Sequence, residues 1–372
     1  MFQYKTWVEI SQKAIAHNIN QIRPILKPKT KLWSVVKSNA YGHGLTSFSQ
    51  IADKLGVDGF CVDSVPEGLK LRKNSLKKPV LVLGPTIIPN LYNEAGINNL
   101  TVTVSNFESL ISLSKVKNRP KFHVKIDSGM HRQGFYINEV PLLIKKIKAF
   151  KLSKLLTGAY THFASAKDLN YPTYTDLQLE KFKKAVSIFE RAGFTNLIKH
   201  AAATGGTFIK PEYHLDAVRI GIGLYGLWPS KELMMQRKDL KLKPVLSWHS
   251  LISEVKNLKK GDFVGYDLIE RVNRPTKMAI LPIGYWHGFP RSLSGIGEVL
   301  VNGKKAKVLG RVSMDLVVIN ADNTACKVGD KATIIGRQKH EELSAFDVAQ
   351  KTGTIHYELI TRINPLIERI IK

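Results

Sequence analysis

The chain has 372 residues, long enough for two domains each with its own core. Hydrophobic residues make up 44% and the mean hydropathy is −0.11, and no apolar run approaches the roughly 18 residues of a membrane helix, so a soluble globular protein is expected. The formal charge of +26 implies non-specific attraction to anions, but the lysines are scattered, as in KKIKAFK (145–151) and KFKK (181–184), without a nucleic-acid motif. They read as a solvated basic surface that also draws anionic cofactors. The opening MFQYKTWVEISQKAIAHN has no uninterrupted apolar core, so no signal peptide is expected. Cys61 and Cys326 are far apart and lack metal-ligand spacing, which suits a reducing cytoplasm and no metal site.

In chain order, KTWVEI (5–10) reads as a strand expected to join a second domain. From about 11 to 225, short apolar strands alternate with amphipathic helical stretches. The strands are KLWSVVK (31–37), GFCV (59–62), PVLVLG (79–84) and LTVTVS (100–105). KFHVKID (121–127), LLTGAYTHF (155–163), NLIKHAAA (196–203) and AVRIGIGLYG (217–226) follow. SVPEGLKLRKN (64–74) reads as a helix capped by Ser64 with Glu67 at the capping-box position. NFESLISLSKV (106–116) and DLQLEKFKKAVSIFERAG (176–193) read as helices, the latter stopping at Gly193. Eight strands with intervening helices spell an α/β TIM barrel over 1–235. After about 236, short strands punctuated by Gly-Asp, Asn-Gly and Gly-Lys turns predict a mainly β domain over 236–372, closed by a helix at 344–353.

Active residues of such a barrel sit at the C-terminal strand ends. Lys37 ends the first strand; Lys125 and Asp127 end the fifth, followed by SGMHR with Arg132; His162 ends the sixth. His200 lies in the seventh, before Thr204-Gly205-Gly206, and Arg219, Gly221 and Ile222 close the eighth. All fall on one rim. Phosphates on this fold bind after strands seven and eight, where these small residues supply backbone amides. Lys37, held where a buried strand ends, is poorly solvated, which favours the neutral amine needed for a Schiff base with an aldehyde cofactor. Val-Val-Lys alone would be a strand-end lysine facing water; Tyr41-Gly42-His43-Gly44 after it changes that reading.

The segment VVKSNAYGHG (35–44) closely resembles the cofactor-lysine motif of alanine racemases, fold-type III pyridoxal phosphate enzymes. The resemblance covers nearly the whole chain and implies pyridoxal 5′-phosphate on Lys37. By KIDSGMHRQGF (125–135), Arg132 matches the arginine near the cofactor's phenolic oxygen and the substrate carboxylate, and Lys125 a lysine carbamylated in some members. GAYTHFASA (158–166) implies His162 behind the site. AVRIGIGLYG matches the segment whose arginine contacts the pyridine nitrogen, here Arg219, with His200 behind it. Tyr41, Thr204, Gly221, Ile222 and Tyr357 fall on phosphate-binding positions. GDFVGYD (261–267) resembles the tyrosine-base motif, which gives Tyr266 the second base. IGYWHGFPR (283–291) and GRVSMD (310–315) place Tyr285 and Met314 at the substrate entrance and carboxylate, Met314 through its N–H.

Arg219 points to the reaction. An arginine has no acceptor and stays protonated, so it can donate to a pyridine nitrogen but cannot usefully protonate it. A weaker electron sink suits simple proton removal and return. The resemblance therefore implies interconversion of L- and D-alanine by two bases, Lys37 and Tyr266, in a cytoplasmic homodimer with shared active sites, supplying D-alanine for peptidoglycan. The alternatives are a broad-specificity, serine or lysine racemase, and a non-catalytic carrier of the same cofactor. The chain departs from the pattern with Ala203-Thr204 for Asn-Ser, Trp286-His287 for Ala-Asp in the entrance loop, and Tyr266-Asp267 for Tyr-Gly.

Overall fold

A computed structural model describes residues 4–372. Met1, Phe2 and Gln3, which begin both the stretch read for a signal peptide and the expected first domain, lie outside the described residues. Two compact units emerge. One holds Ala14–Ala40 and Leu45–Lys243; the other takes Tyr41–Gly44, Pro244–Lys372 and the described part of Met1–Lys13.

The first unit is a closed barrel of eight parallel strands: Lys31–Val35, Gly59–Val62, Val80–Val82, Thr101–Val104, Lys121–Lys125, Leu156–Tyr160, Ile198–Ala203 and Ala217–Ile220. The first and last strands close it, with Leu32 opposite Val218 and Trp33 opposite Arg219. The expected α/β TIM barrel is therefore present. Strands such as Gly59–Val62 and Val80–Val82 are buried throughout, as strands covered on both faces must be, so they read as unbroken apolar runs. Gly59–Val62 and Ile198–Ala203 end where their apolar runs end, whereas the other six stop earlier, because pairing ends where the chain bends into the rim loops. The barrel interior includes polar side chains, Thr103, His123, His200 and Arg219 among them, all buried.

The helices follow their caps. Ser64 Oγ accepts the Glu67 N–H at 3.4 Å and starts Val65–Lys73. The Glu67 carboxylate does not return to Ser64, as a capping box requires; it accepts the N–H groups of Asp63 and Ser38, each at 2.7 Å. Asn106 caps Phe107–Lys115 with a reciprocal Ser109. Thr173–Arg191 ends before Gly193, whose φ of +96° suits glycine.

The second unit is built on a ten-stranded sheet, mainly antiparallel. Thr6–Ile10 joins it as expected, antiparallel to Leu246–Leu251 and parallel to Glu368–Ile371. The helix Ala345–Lys351 matches the expectation, but His356–Thr361 and the strand Glu368–Ile371 follow it. That strand has no fully buried residue, so its pattern carries no strand period, and its pairing comes from the opposite end of the chain. No described helix is long and apolar enough to cross a membrane.

Candidate active site

Lys37 stands two residues beyond the first barrel strand, at the start of an unusual turn. Ser38, Asn39, Ala40 and Tyr41 all have left-handed backbones, with φ of 56°, 55°, 52° and 51°. For non-glycine residues this costs about 1–2 kcal/mol each, and the surroundings over-determine it. Ser38 N–H donates to Glu67 at 2.7 Å, Ala40 N–H to Val36 O at 2.8 Å, and Leu45 N–H to Asn39 Oδ1 at 2.9 Å. Within the second unit, both Arg369 Nε and Nη2 donate to the Gly42 carbonyl at 3.1 Å. Gly42 has φ +82°, and a Cβ there would collide with the Ile360 carbonyl oxygen, so only glycine fits. The Lys37 side chain is 38% exposed and its Nζ lies 3.5 Å from Asp63. The dry surroundings expected from the sequence are thus replaced by an open rim, because the strand ends at Val35.

Beyond the fifth strand, the loop of Gly129 to Arg132 winds around one carboxylate. Asp127 accepts the N–H groups of Gly129, Met130, His131 and Arg132 at 2.9–3.0 Å. Burial would raise the Asp127 carboxyl, but those four amides hold it below the usual range. Lys125 is buried, with Nζ donating to Gln133 Oε1 at 3.2 Å and lying 5.7 Å over the Tyr160 ring. Burial, then Arg132 and Arg219, bring its ammonium down to about 8. A fraction of this amine is neutral near pH 7, the form that reacts with carbon dioxide.

Arg219 is only 2% exposed. Its Nη1 donates to His200 Nδ1 at 2.6 Å, and its Nη2 to the carbonyls of Thr161 (2.8 Å) and Ala201 (3.0 Å) and to His162 Nδ1 (3.3 Å). No described carboxylate pairs with it. Burial and Arg219 push His162 and His200 well below their usual value, with Arg132, Lys125 and Lys37 adding to the effect at His162. The imidazoles stay neutral and the rim is cationic, a setting that attracts phosphate and carboxylate groups.

The rim loops after strands seven and eight carry a second feature of that kind. Thr204 Oγ1 accepts the N–H groups of Gly221 (3.2 Å) and Gly223 (3.3 Å), which leaves its own proton to donate. Ile222 is buried, and its N–H meets no acceptor among the described residues. A buried orphan amide is costly unless a ligand oxygen completes it, so these residues fit a phosphate.

In the second unit, Tyr41 and Tyr357 lie with ring centroids 6.2 Å apart; burial and Tyr41 raise the Tyr357 hydroxyl. Tyr266 is 67% exposed in a turn where Gly265 and Asp267 have φ of 73° and 64°. Asp267, standing where glycine is frequent, is tied to Arg311 Nε at 2.9 Å. The segments 283–291 and 310–315 are laced together: Tyr285 N–H donates to Ser313 O (3.1 Å) and Trp286 N–H to Met314 O (3.0 Å). Gly284 permits this, since a Cβ would strike both carbonyls. The Met314 N–H has no acceptor among the described residues, as a carboxylate-binding amide requires. His287 does not line an entrance: it is buried, with Nδ1 accepting the Gly284 N–H at 3.1 Å, whereas Trp286 is exposed.

A model of the alanine racemase N-terminal domain matches residues 10–229 and one of the C-terminal domain residues 245–371. Together they span most of the chain. The chain belongs to the alanine racemase family. It is therefore an amino-acid racemase, an isomerase. It is 36% identical over 375 residues to the alanine racemase of Leptospira interrogans serovar copenhageni, covering 99% of this chain and 96% of that one. Alanine racemase 2 of Bacillus subtilis is 35% identical over 98% of this chain and 94% of its own. Among solved structures, the Bacillus anthracis alanine racemase with bound L-Ala-P superposes with a TM-score of 0.93 at 35% identity, covering 100% and 96% of the two chains.

The barrel thus brings Lys37, Lys125, Arg132, His162, Thr204, Arg219, Gly221 and Ile222 to one strand-end region, with His200 deeper in the interior behind Arg219, while Tyr41, Tyr266, Tyr285, Met314 and Tyr357 belong to the other unit. Sequence reasoning passed over His123, which meets His200 at 2.9 Å. A signal was available: in KFHVK the period of two puts His123 on the same strand face as Lys125.

Proposed function

We propose that this racemase interconverts L- and D-alanine with pyridoxal 5′-phosphate held on Lys37, as a homodimer in the cytoplasm, supplying D-alanine for peptidoglycan. The observation that carries the reading is Arg219, a buried cation whose hydrogen bonds go only to neutral acceptors. When bound, the cofactor would delocalise the electron pair left at the substrate Cα. Arg219 would lie toward the ring nitrogen and, having only donors, would offer it a hydrogen bond without surrendering a proton, which would keep the electron sink weak and favour simple proton return over side reactions.

Thr204 Oγ1, the Ile222 amide, Tyr41 and Tyr357 would hold the phosphate. Arg132, fixed by the Asp127 loop and neighbouring Lys125, would take the substrate carboxylate together with the Met314 N–H. Lys37 Nζ moves the proton on one face of Cα and the Tyr266 hydroxyl on the other. Because Arg219 donates to His162 Nδ1, neutral His162 carries its proton on Nε2, ready to stabilise a phenolate brought to it. In the dimer, Tyr266 would come from the second subunit. The exposed apolar surround of Tyr266, with Phe263, Leu268 and Ile269 each more than 45% exposed, supports association through that face.

The test is Tyr266→Phe. It should retain bound cofactor and exchange of the Cα proton from one enantiomer, and lose conversion of L-alanine. Normal racemisation by this variant would remove Tyr266 from the mechanism.

A further inference from the structure

Behind Arg219, two imidazoles run in line through the barrel interior. Arg219 has only donors, so its 2.6 Å bond obliges His200 Nδ1 to accept. Neutral His200 then carries its proton on Nε2 and donates it to His123 Nδ1, 2.9 Å away. His123 must in turn accept at Nδ1 and hold its own proton on Nε2. With His200 protonated on Nδ1, an N–H would face an N–H inside a dry barrel.

The surroundings hold both rings in this arrangement. His200 is fully buried and His123 is 3% exposed. Tyr160 stacks on His200, with centroids 4.7 Å apart and planes 5° from parallel, and Trp33 meets the same ring edge-on at 5.0 Å. Thr103 Oγ1 donates to Val82 O at 2.7 Å, so the Tyr160 hydroxyl, 2.9 Å away, must donate to Thr103 and is not available to the imidazoles. Gly158 lies flat against His123: a Cβ there would come 2.6 Å from Cε1 and Nε2 and 2.7 Å from Nδ1.

We infer that His123 is a positioning residue: by accepting at Nδ1 it locks the tautomer of His200 that receives the Arg219 N–H, and so fixes the aim of the buried guanidinium. Its effect on turnover rests on the role proposed for Arg219, but the tautomers themselves can be read without cofactor or substrate.

The experiment is long-range proton–nitrogen correlation on cofactor-free protein with ¹⁵N-labelled histidine, for the native chain, His123→Asn and His123→Leu. In the native chain both His123 and His200 should be neutral and protonated on Nε2 at pH 7. Asn keeps an acceptor where Nδ1 stood and should leave the His200 signals in place, with kcat of the cofactor-loaded enzyme within about threefold. Leu leaves a buried donor unpaired, so His200 should show mixed tautomers and kcat should fall about tenfold or more with KM little changed. Gly158→Ala, which displaces the ring without removing it, should resemble Leu. Protonation of His200 on Nδ1 in the native chain overturns the inference without any variant having to fold. So does a Leu variant with unchanged His200 signals, or an Asn variant as impaired as Leu. Failure of the Arg219 reading would instead show as correct tautomers with turnover indifferent to His123.

Discussion

Keeping a cluster of imidazoles neutral inside the barrel should make the protein acid-sensitive in a defined window. His123 is brought from 6.5 down to about 3 by burial and by Arg219. Because the folded value is depressed, its contribution is fully present above pH 6.5 and is lost as the pH falls toward 3. Between pH 7 and pH 5 the unfolded chain takes up a proton at this ring and the folded chain does not. At 1.36 kcal/mol per pH unit over the 1.5 units below 6.5, that amounts to about 2 kcal/mol for His123 alone. His200 and His162, lowered by the same burial and the same arginine, steepen the fall. Carboxylates titrate mainly below this window, so the histidines dominate it. Urea unfolding of cofactor-free protein at pH 7, 6 and 5 measures the effect. The native chain should lose at least about 2 kcal/mol from pH 7 to pH 5, and His123→Asn should lose about 2 kcal/mol less than it does. A stability flat across the window, or a variant with the native slope, would refute the account of a neutral, desolvated cluster.

Two further outcomes follow from the rim. Lys37→Ala should abolish the near-visible absorbance of bound pyridoxal phosphate, and borohydride should no longer attach the cofactor to the chain. With ¹³C-bicarbonate, a carbamate carbon signal should appear in the native protein, rise as the pH climbs through about 8 with the neutral Lys125 amine, and be missing from Lys125→Arg.

The barrel was legible because its strands are buried on both sides and so stand out as short apolar runs between capped helices, as at Gly59–Val62 and at Val65–Lys73 behind Ser64. The rim residues were legible because a strand end is a position along the chain. What was not legible depends on contacts distant in sequence. Glu67 looked like the partner of Ser64 but supports the Ser38 turn 29 residues earlier. His287 looked like an entrance residue, yet the lacing of Tyr285 and Trp286 to the Ser313–Met314 backbone turns it inward. The strand Glu368–Ile371 exists only because Thr6–Ile10 lies beside it. The strand period puts His123 on the face of Lys125, but its partner His200 lies 77 residues away and is not readable from that period.

The most direct measurement mixes the purified protein with pyridoxal phosphate and L-alanine in deuterated water and follows the Cα proton by NMR together with chiral analysis. The account expects loss of the Cα proton signal as deuterated D-alanine appears. Recovery of fully protonated L-alanine, with neither exchange nor inversion, would contradict alanine racemisation at this site.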